Sequence, residues 1–147
     1  MLIENLFLSV IAILRLATAG CKKTNIKNLT SCQWKFVEIK DKKTAEITKA
    51  PQVFVFYNKP YLLEFKEDKT INFPVHCNIR TAAYSVKSKN IIKFQFGART
   101  LLYCDILSDL EEVVLLNFEK SLTYSITKNS LVIDCEYNKL YFEKFEE

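Results

Sequence analysis

Short segments in which apolar and polar residues alternate follow one another along most of this chain. That period of two constrains its fold more than any other feature. Successive side chains of a strand point to opposite faces, so each such segment reads as a strand with one buried face. Residues 32–39 carry Trp34, Phe36 and Cys32 on one face, and residues 53–56, 61–65 and 70–73 follow. In residues 91–96, Phe94 and Phe96 share one face while Lys93 and Gln95 share the other. Residues 84–86, 122–126, 131–135 and 140–145 complete the series, punctuated by Pro60, Asn129 and Asn138. The short connections Glu67-Asp68-Lys69 and Ser88-Lys89-Asn90 predict two hairpins, 61–65 with 70–73 and 84–86 with 91–96. One segment has a different period: Leu107, Leu110, Val114 and Phe118 recur at spacings of three and four. Ser108 and Glu111 at its start fit a capping box, so a helix is expected there. The fold class is therefore α+β and mainly antiparallel β, a compact sheet or partial barrel with one packed helix.

What this chain lacks narrows its chemistry. It has two glycines in 147 residues, Gly20 and Gly97, and one histidine, His76. Phosphate-binding loops and the nucleophile elbow need several glycines where backbone bends sharply or approaches a ligand. Multi-histidine metal centres cannot be assembled either. Neither a cofactor nor a metal is expected, and no catalytic residue is assigned. Gly97, just after the 91–96 strand, marks the one obvious place for a tight turn. The net charge of +4 comes almost wholly from lysines interleaved with acids, since only Arg15, Arg80 and Arg99 are arginines. Nucleic-acid binders concentrate charge on one stripe and favour arginine, so no nucleic-acid partner is expected.

The amino terminus reads as an address. Residues 6–14 form an apolar run broken only by Ser9. It is too short to span a bilayer but suits the apolar region of a secretory signal. Ala17-Thr18-Ala19-Gly20 then leads to Cys21, which resembles the lipobox of bacterial lipoproteins. There the cysteine becomes the lipidated first residue, because the diacylglyceryl group is attached through a thioether. Arg15, Thr18 and the acidic Glu4 depart from the usual pattern. Ordinary cleavage after Ala19 and a retained hydrophobic helix are the rival readings. The expected organisation is a lipoprotein-type signal peptide at 1–20, a polar tether at 21–31 and one folded domain at 32–147. The domain is then extracytoplasmic, held in the cell envelope by an N-terminal lipid.

Export fits the cysteines. If Cys21 carries lipid, Cys32, Cys77, Cys104 and Cys135 remain, enough for two disulfides in three connectivities. Buried free thiols are the alternative.

The order of parts resembles the META domain family, the module of HslJ-like bacterial lipoproteins. An early strand holds Trp34, and the pair Cys77-Asn78 precedes Tyr84 by six residues from the asparagine. Thr100 lies four residues before Cys104, and a helix carrying Leu110-Glu111 leads to Tyr124 and to final strands with Phe142 and Phe145. The family writes Gly-Cys-Asn with further glycines nearby, whereas this chain has His76 before Cys77, and Phe73 and Ala82 at the other glycine positions. The resemblance implies a β-rich fold with one packed helix and an association with envelope stress, but no established reaction. It also implies that Cys77 and Cys104 lie near one another, which would leave Cys32 to pair with Cys135.

Three clusters invite sharper functions. His76 and Cys77 suggest a nucleophile and base, yet neighbours on a strand face opposite ways and cannot form their own dyad. Asp105, Asp109, Glu111 and Glu112 surround the helix start, where carboxylates complement the helix dipole. Tyr57, Tyr61 and Tyr103 could line an aromatic groove, but core packing is the commoner use. The function expected is a lipid-anchored envelope protein that binds without turnover, its protein or ligand partner unidentified. The alternative is a small periplasmic enzyme or enzyme inhibitor using His76 and Cys77.

Overall fold

The alternating segments do form strands, and the strands close on themselves. The computed structural model describes residues 26–50, 60–75, 78–99 and 108–146. A single turn of helix, α1 (Ile26–Leu29), precedes β1 (Gln33–Asp41) and β2 (Ile47–Lys49). Then come β3 (Leu62–Phe65), β4 (Thr70–Val75) and β5 (Asn78–Lys87). A 3₁₀ turn at Ser88–Asn90 leads into β6 (Ile91–Arg99). Helix α2 (Ser108–Glu119) is followed by β7 (Ser121–Ile126), β8 (Ser130–Cys135) and β9 (Asn138–Lys144).

Strands β3 to β9 pair in sequence order, and β1 joins β3 on one side and β9 on the other. The result is a closed eight-stranded antiparallel barrel. A ring in which every neighbour is antiparallel needs an even number of strands, and β2 accordingly stays outside it. One edge of β1 is shared: Gln33 to Lys35 pair with β3, while Glu38 to Lys40 pair with β2.

The inward residues are those the period of two selects. They include Trp34 and Phe36 on β1, Leu63 and Phe65 on β3, and Ile71 and Phe73 on β4. On the adjacent strands β8 and β9, Leu131, Ile133 and Cys135 line the interior beside Leu140 and Phe142. The register shifts at three places, and two of them alter which residues face inward. A bulge between Phe36 and Glu38 moves the next buried residue to Ile39, and one between Ser121 and Thr123 leaves Ser121 and Tyr124 buried. Such bulges increase local twist and help a sheet curl shut.

Helix α2 completes the core. Val114, Leu115 and Phe118 are buried, and Leu110 packs against the core edge. The Phe118 ring meets Phe94 at 4.8 Å, Phe73 at 5.3 Å, and Phe96 and Phe142 at 6.4 Å. Strands β6 and β7 share one register pair, Ile91 with Thr123, so this is the least sealed seam of the barrel. The helix that connects them fills the space with an aromatic ring.

Several expectations change. Strand β5 starts at Asn78 rather than at residue 84, and β2 lies between the expected strands 32–39 and 53–56, where the alternation predicts none. Gly97 is not at a tight turn. It lies within β6, where the register shifts against Arg80 and Ala82 of β5, and no glycine among the described residues has positive φ. That load falls on Ala45 (φ 61°), Lys69 (φ 68°) and Asn90 (φ 58°). Phe73 and Ala82, at the family's glycine positions, are buried core residues in the regular β4–β5 ladder. The stretch 21–31, expected to be a tether, contributes Leu29 to the core. Residues 53–56 lie outside the described residues.

Candidate functional site

Four of the expected motif residues hold the barrel together. The indole of Trp34 is buried and its Nε1–H donates to the Leu29 carbonyl at 3.0 Å, tying α1 to β1. Asn78 is buried at the start of β5. Tyr84 packs its ring against Phe65 at 5.0 Å, edge to face, and its hydroxyl donates to the Lys66 carbonyl at 2.9 Å. Burial raises the Tyr84 pKa, with Asp68 and Tyr124 adding to the effect. Tyr124 is also buried, its pKa raised by desolvation, and its hydroxyl has no hydrogen-bond partner among the described residues. Glu111 lies in the first turn of α2. Cys21, His76, Cys77, Thr100 and Cys104 lie outside the described residues, as do Tyr57, Tyr103 and Asp105. Tyr61 is buried.

The pairing of Cys32 with Cys135 is not made. Both thiols are free. Trp34 is level with Lys144 at the end of β9 and Cys32 lies two residues further out, while Asp134, next to Cys135, is level with Lys139 at the start of β9. The two are therefore separated by roughly eight residues of strand, on the order of 26 Å. A disulfide requires Cα atoms within about 7 Å. Burial pushes the Cys135 thiol up to about 12, with Asp134 adding to it. Burial also raises Cys32.

The interior of the barrel is packed with its own aromatic rings. Phe36, Phe73, Phe118 and Phe142 form one aromatic cluster across it. An eight-stranded barrel is just wide enough for side chains to fill in this way. Open space lies outside, at the end where the chain enters β1. A groove of about 590 Å³ is lined by Lys35, Pro60, Asn129, Glu143, Lys144 and Phe145 among others. A smaller one of about 230 Å³ beside it involves Asn28, Ser31, Cys32, Thr127, Lys128 and Lys144. Both are polar, and Lys35–Glu143 (2.9 Å) and Lys144–Glu146 (3.0 Å) bridge the rim.

The opposite end differs in chemistry. Val113 and Leu116 on the outer face of α2 are 42% and 47% exposed, with Leu122 at 43% and Tyr137 at 53%. Lys120 stands over the Tyr137 ring at 4.6 Å and pairs with Glu136 at 3.2 Å. The Asn138 amide donates to Asn117 Oδ1 at 3.0 Å, fixing the helix to the start of β9. The run Val113-Val114-Leu115-Leu116 makes α2 apolar on both faces, a signal of this patch that the three-and-four spacing passes over. Among the described residues no group of three or more His, Cys, Asp or Glu side chains could hold a metal ion, and no helix is long and apolar enough to cross a membrane.

Solved structures share this architecture. The crystal structure of a DUF4847 family protein from Bacteroides vulgatus matches with a TM-score of 0.60 at 11% identity, covering 82% of this chain and 97% of that one. The NMR structure of a protein from Burkholderia xenovorans matches with a TM-score of 0.61 at 14% identity, covering 82% and 86%. At such identities the likeness is one of fold. No curated protein matches the sequence. The META domain matches over residues 27–146, nearly the whole of the described barrel, and the chain belongs to the META domain family.

Proposed function

We propose that this META domain is the extracytoplasmic part of a lipid-anchored cell-envelope protein, and that it acts by binding at its surface without turnover. The observation that carries the reading is the filled interior. With Phe36, Phe73, Phe118 and Phe142 packed across the barrel, a ligand has the rims and outer faces to use. The exposed apolar side chains Val113, Leu116, Leu122 and Tyr137 at this end suit a protein partner, since exposed apolar residues with an aromatic among them are characteristic of contact surfaces. The anchor follows from the small-residue approach to Cys21. The resemblance to HslJ-like lipoproteins adds a role in maintaining the envelope.

Mass spectrometry of the native protein tests the anchor. The expected mature N-terminus is Cys21 carrying an acyl adduct, and Cys21→Ser is expected to move the protein from the membrane to the soluble fraction. An unmodified Cys21, or membrane attachment that survives Cys21→Ser, would overturn the reading.

A further inference from the structure

Four exposed lysines without an ion-pair partner among the described residues gather at one end of the barrel. The end where the chain enters β1 gathers α1, the β3–β4 turn, the 3₁₀ turn between β5 and β6, and the β7–β8 turn. Lys27, Lys69, Lys87 and Lys128 are exposed there and take part in no ion pair among the described residues. The carboxylates at these turns are largely matched. Glu143 and Glu146 are held by Lys35 and Lys144, and Asp68 is held by Thr70 with Lys66 close by, leaving Glu67. The opposite end is mixed, with exposed Glu46, Glu112 and Glu119 alongside exposed Lys42, which pairs with Asp134, and Lys43.

Ile26, the first residue of α1, lies on the basic side. Five residue steps separate Cys21 from Ile26, and an extended chain of that length reaches at most about 18 Å. Lys22 and Lys23 lie within it.

We propose that the α1 end of the barrel docks on anionic lipid headgroups, with Lys27, Lys69, Lys87 and Lys128 as the contact lysines. This rests on the anchor at Cys21 proposed above. The short tether brings that end to within two or three Debye lengths of the bilayer, about 8 Å each at physiological salt, and the lysines draw it the rest of the way. Docking of this kind sets orientation: the apolar patch around Leu116 and Tyr137 then faces away from the membrane.

Lysine acetylation followed by mass spectrometry tests this on the intact lipidated protein. The protein is reconstituted into vesicles of phosphatidylcholine alone or of phosphatidylcholine with phosphatidylglycerol as the minor component. With phosphatidylglycerol, labelling of Lys27, Lys69, Lys87 and Lys128 is expected to slow at least about threefold while Lys43 and Lys49 keep their rates, and high salt is expected to remove the difference. The triple variant Lys69→Glu, Lys87→Glu, Lys128→Glu, checked for folding by circular dichroism, is expected to return Lys27 to its rate on phosphatidylcholine. Equal labelling on the two vesicles, or protection of Lys43 in place of the four, would overturn the proposal. A failed anchor is read separately, as a protein without acyl mass that stays with neither vesicle.

Discussion

The indole N–H of Trp34 donates to the backbone carbonyl of Leu29 across 3.0 Å, inside the core. This bond joins the first turn of helix to the first barrel strand, and Leu29 itself is fully buried. Packing of the domain thus begins five residues upstream of the tryptophan. Trp34→Phe keeps an aromatic ring but strands the Leu29 carbonyl, at a cost of about 1–3 kcal/mol before any cavity is counted. Urea unfolding followed by circular dichroism should show the shift. Leu29→Ala should destabilise by about 2–5 kcal/mol.

Phe118 carries the contact between helix and barrel. Its ring touches phenylalanines from β4, β6 and β9, so truncation opens a cavity bordered by all three. Phe118→Ala is expected to cost about 3–5 kcal/mol, whereas Leu116→Ala on the outer face of the same helix should cost well under about 1 kcal/mol. Chemical denaturation of both variants checks the contrast. Equal losses would mean that the outer face is covered in solution.

Exchanging glycine between two positions should stabilise the protein. Ala45 sits at φ 61°, a conformation that costs an L residue about 1–2 kcal/mol, and glycine there sheds the strain against about 0.5–1 kcal/mol of added chain entropy. Gly97 lacks positive φ, and an added Cβ would come no closer than 3.4 Å to the Thr81 side chain, an ordinary contact. Ala45→Gly and Gly97→Ala are each expected to raise the melting temperature or leave it unchanged. A clear fall for Gly97→Ala would show that the β6 irregularity requires glycine.

The two described cysteines should behave as unlike thiols. Cys32, half-buried, is expected to react with a thiol reagent in the native state, while Cys135 waits for unfolding. A thiol whose folded pKa is raised contributes stability below its unfolded value and loses it as pH rises towards the folded one. For Cys135 that window runs from the usual 9.0 to about 12. Alkaline destabilisation across it should be shallower in Cys135→Ala than in the native sequence, by up to about 1.4 kcal/mol per pH unit.

Acid should loosen two turns. Asp41 accepts the amides of Lys43 and Thr44 at 2.7 Å, and backbone bonds from Thr44 and Lys43 hold its pKa down. The Thr70 hydroxyl and amide do the same for Asp68. Folded pKa values below the unfolded ones mean stability that is present above the usual carboxylate range and lost as pH falls through the folded value. Asp41→Asn and Asp68→Asn should each flatten the acid limb of a stability–pH curve.

Alternation made most strands readable, because a half-buried strand writes its two faces into sequence. Trp34, Phe36, Phe94, Leu131 and Phe142 all sit inward where the period of two puts them. Strand β2 escaped, since Ile47, Thr48 and Lys49 are all exposed and have no faces to contrast. The start of β5 escaped as well, because Arg80, Thr81, Ala82 and Ala83 show little apolar contrast although Ala82 is buried. Of the motif residues, Trp34, Asn78, Tyr84 and Tyr124 proved to be buried parts of the barrel.

By itself the sequence determined strand number and spacing to a good approximation, the single long helix, the family, and the absence of any glycine-built phosphate loop. Those properties are local, encoded in periodicity and in which residue types occur at all. Closure of the sheet, the bulges that shift its register, the distance between Cys32 and Cys135, and the gathering of Lys27, Lys69, Lys87 and Lys128 at one end were decided by tertiary structure. Each depends on which distant strands become neighbours, and no local period records that.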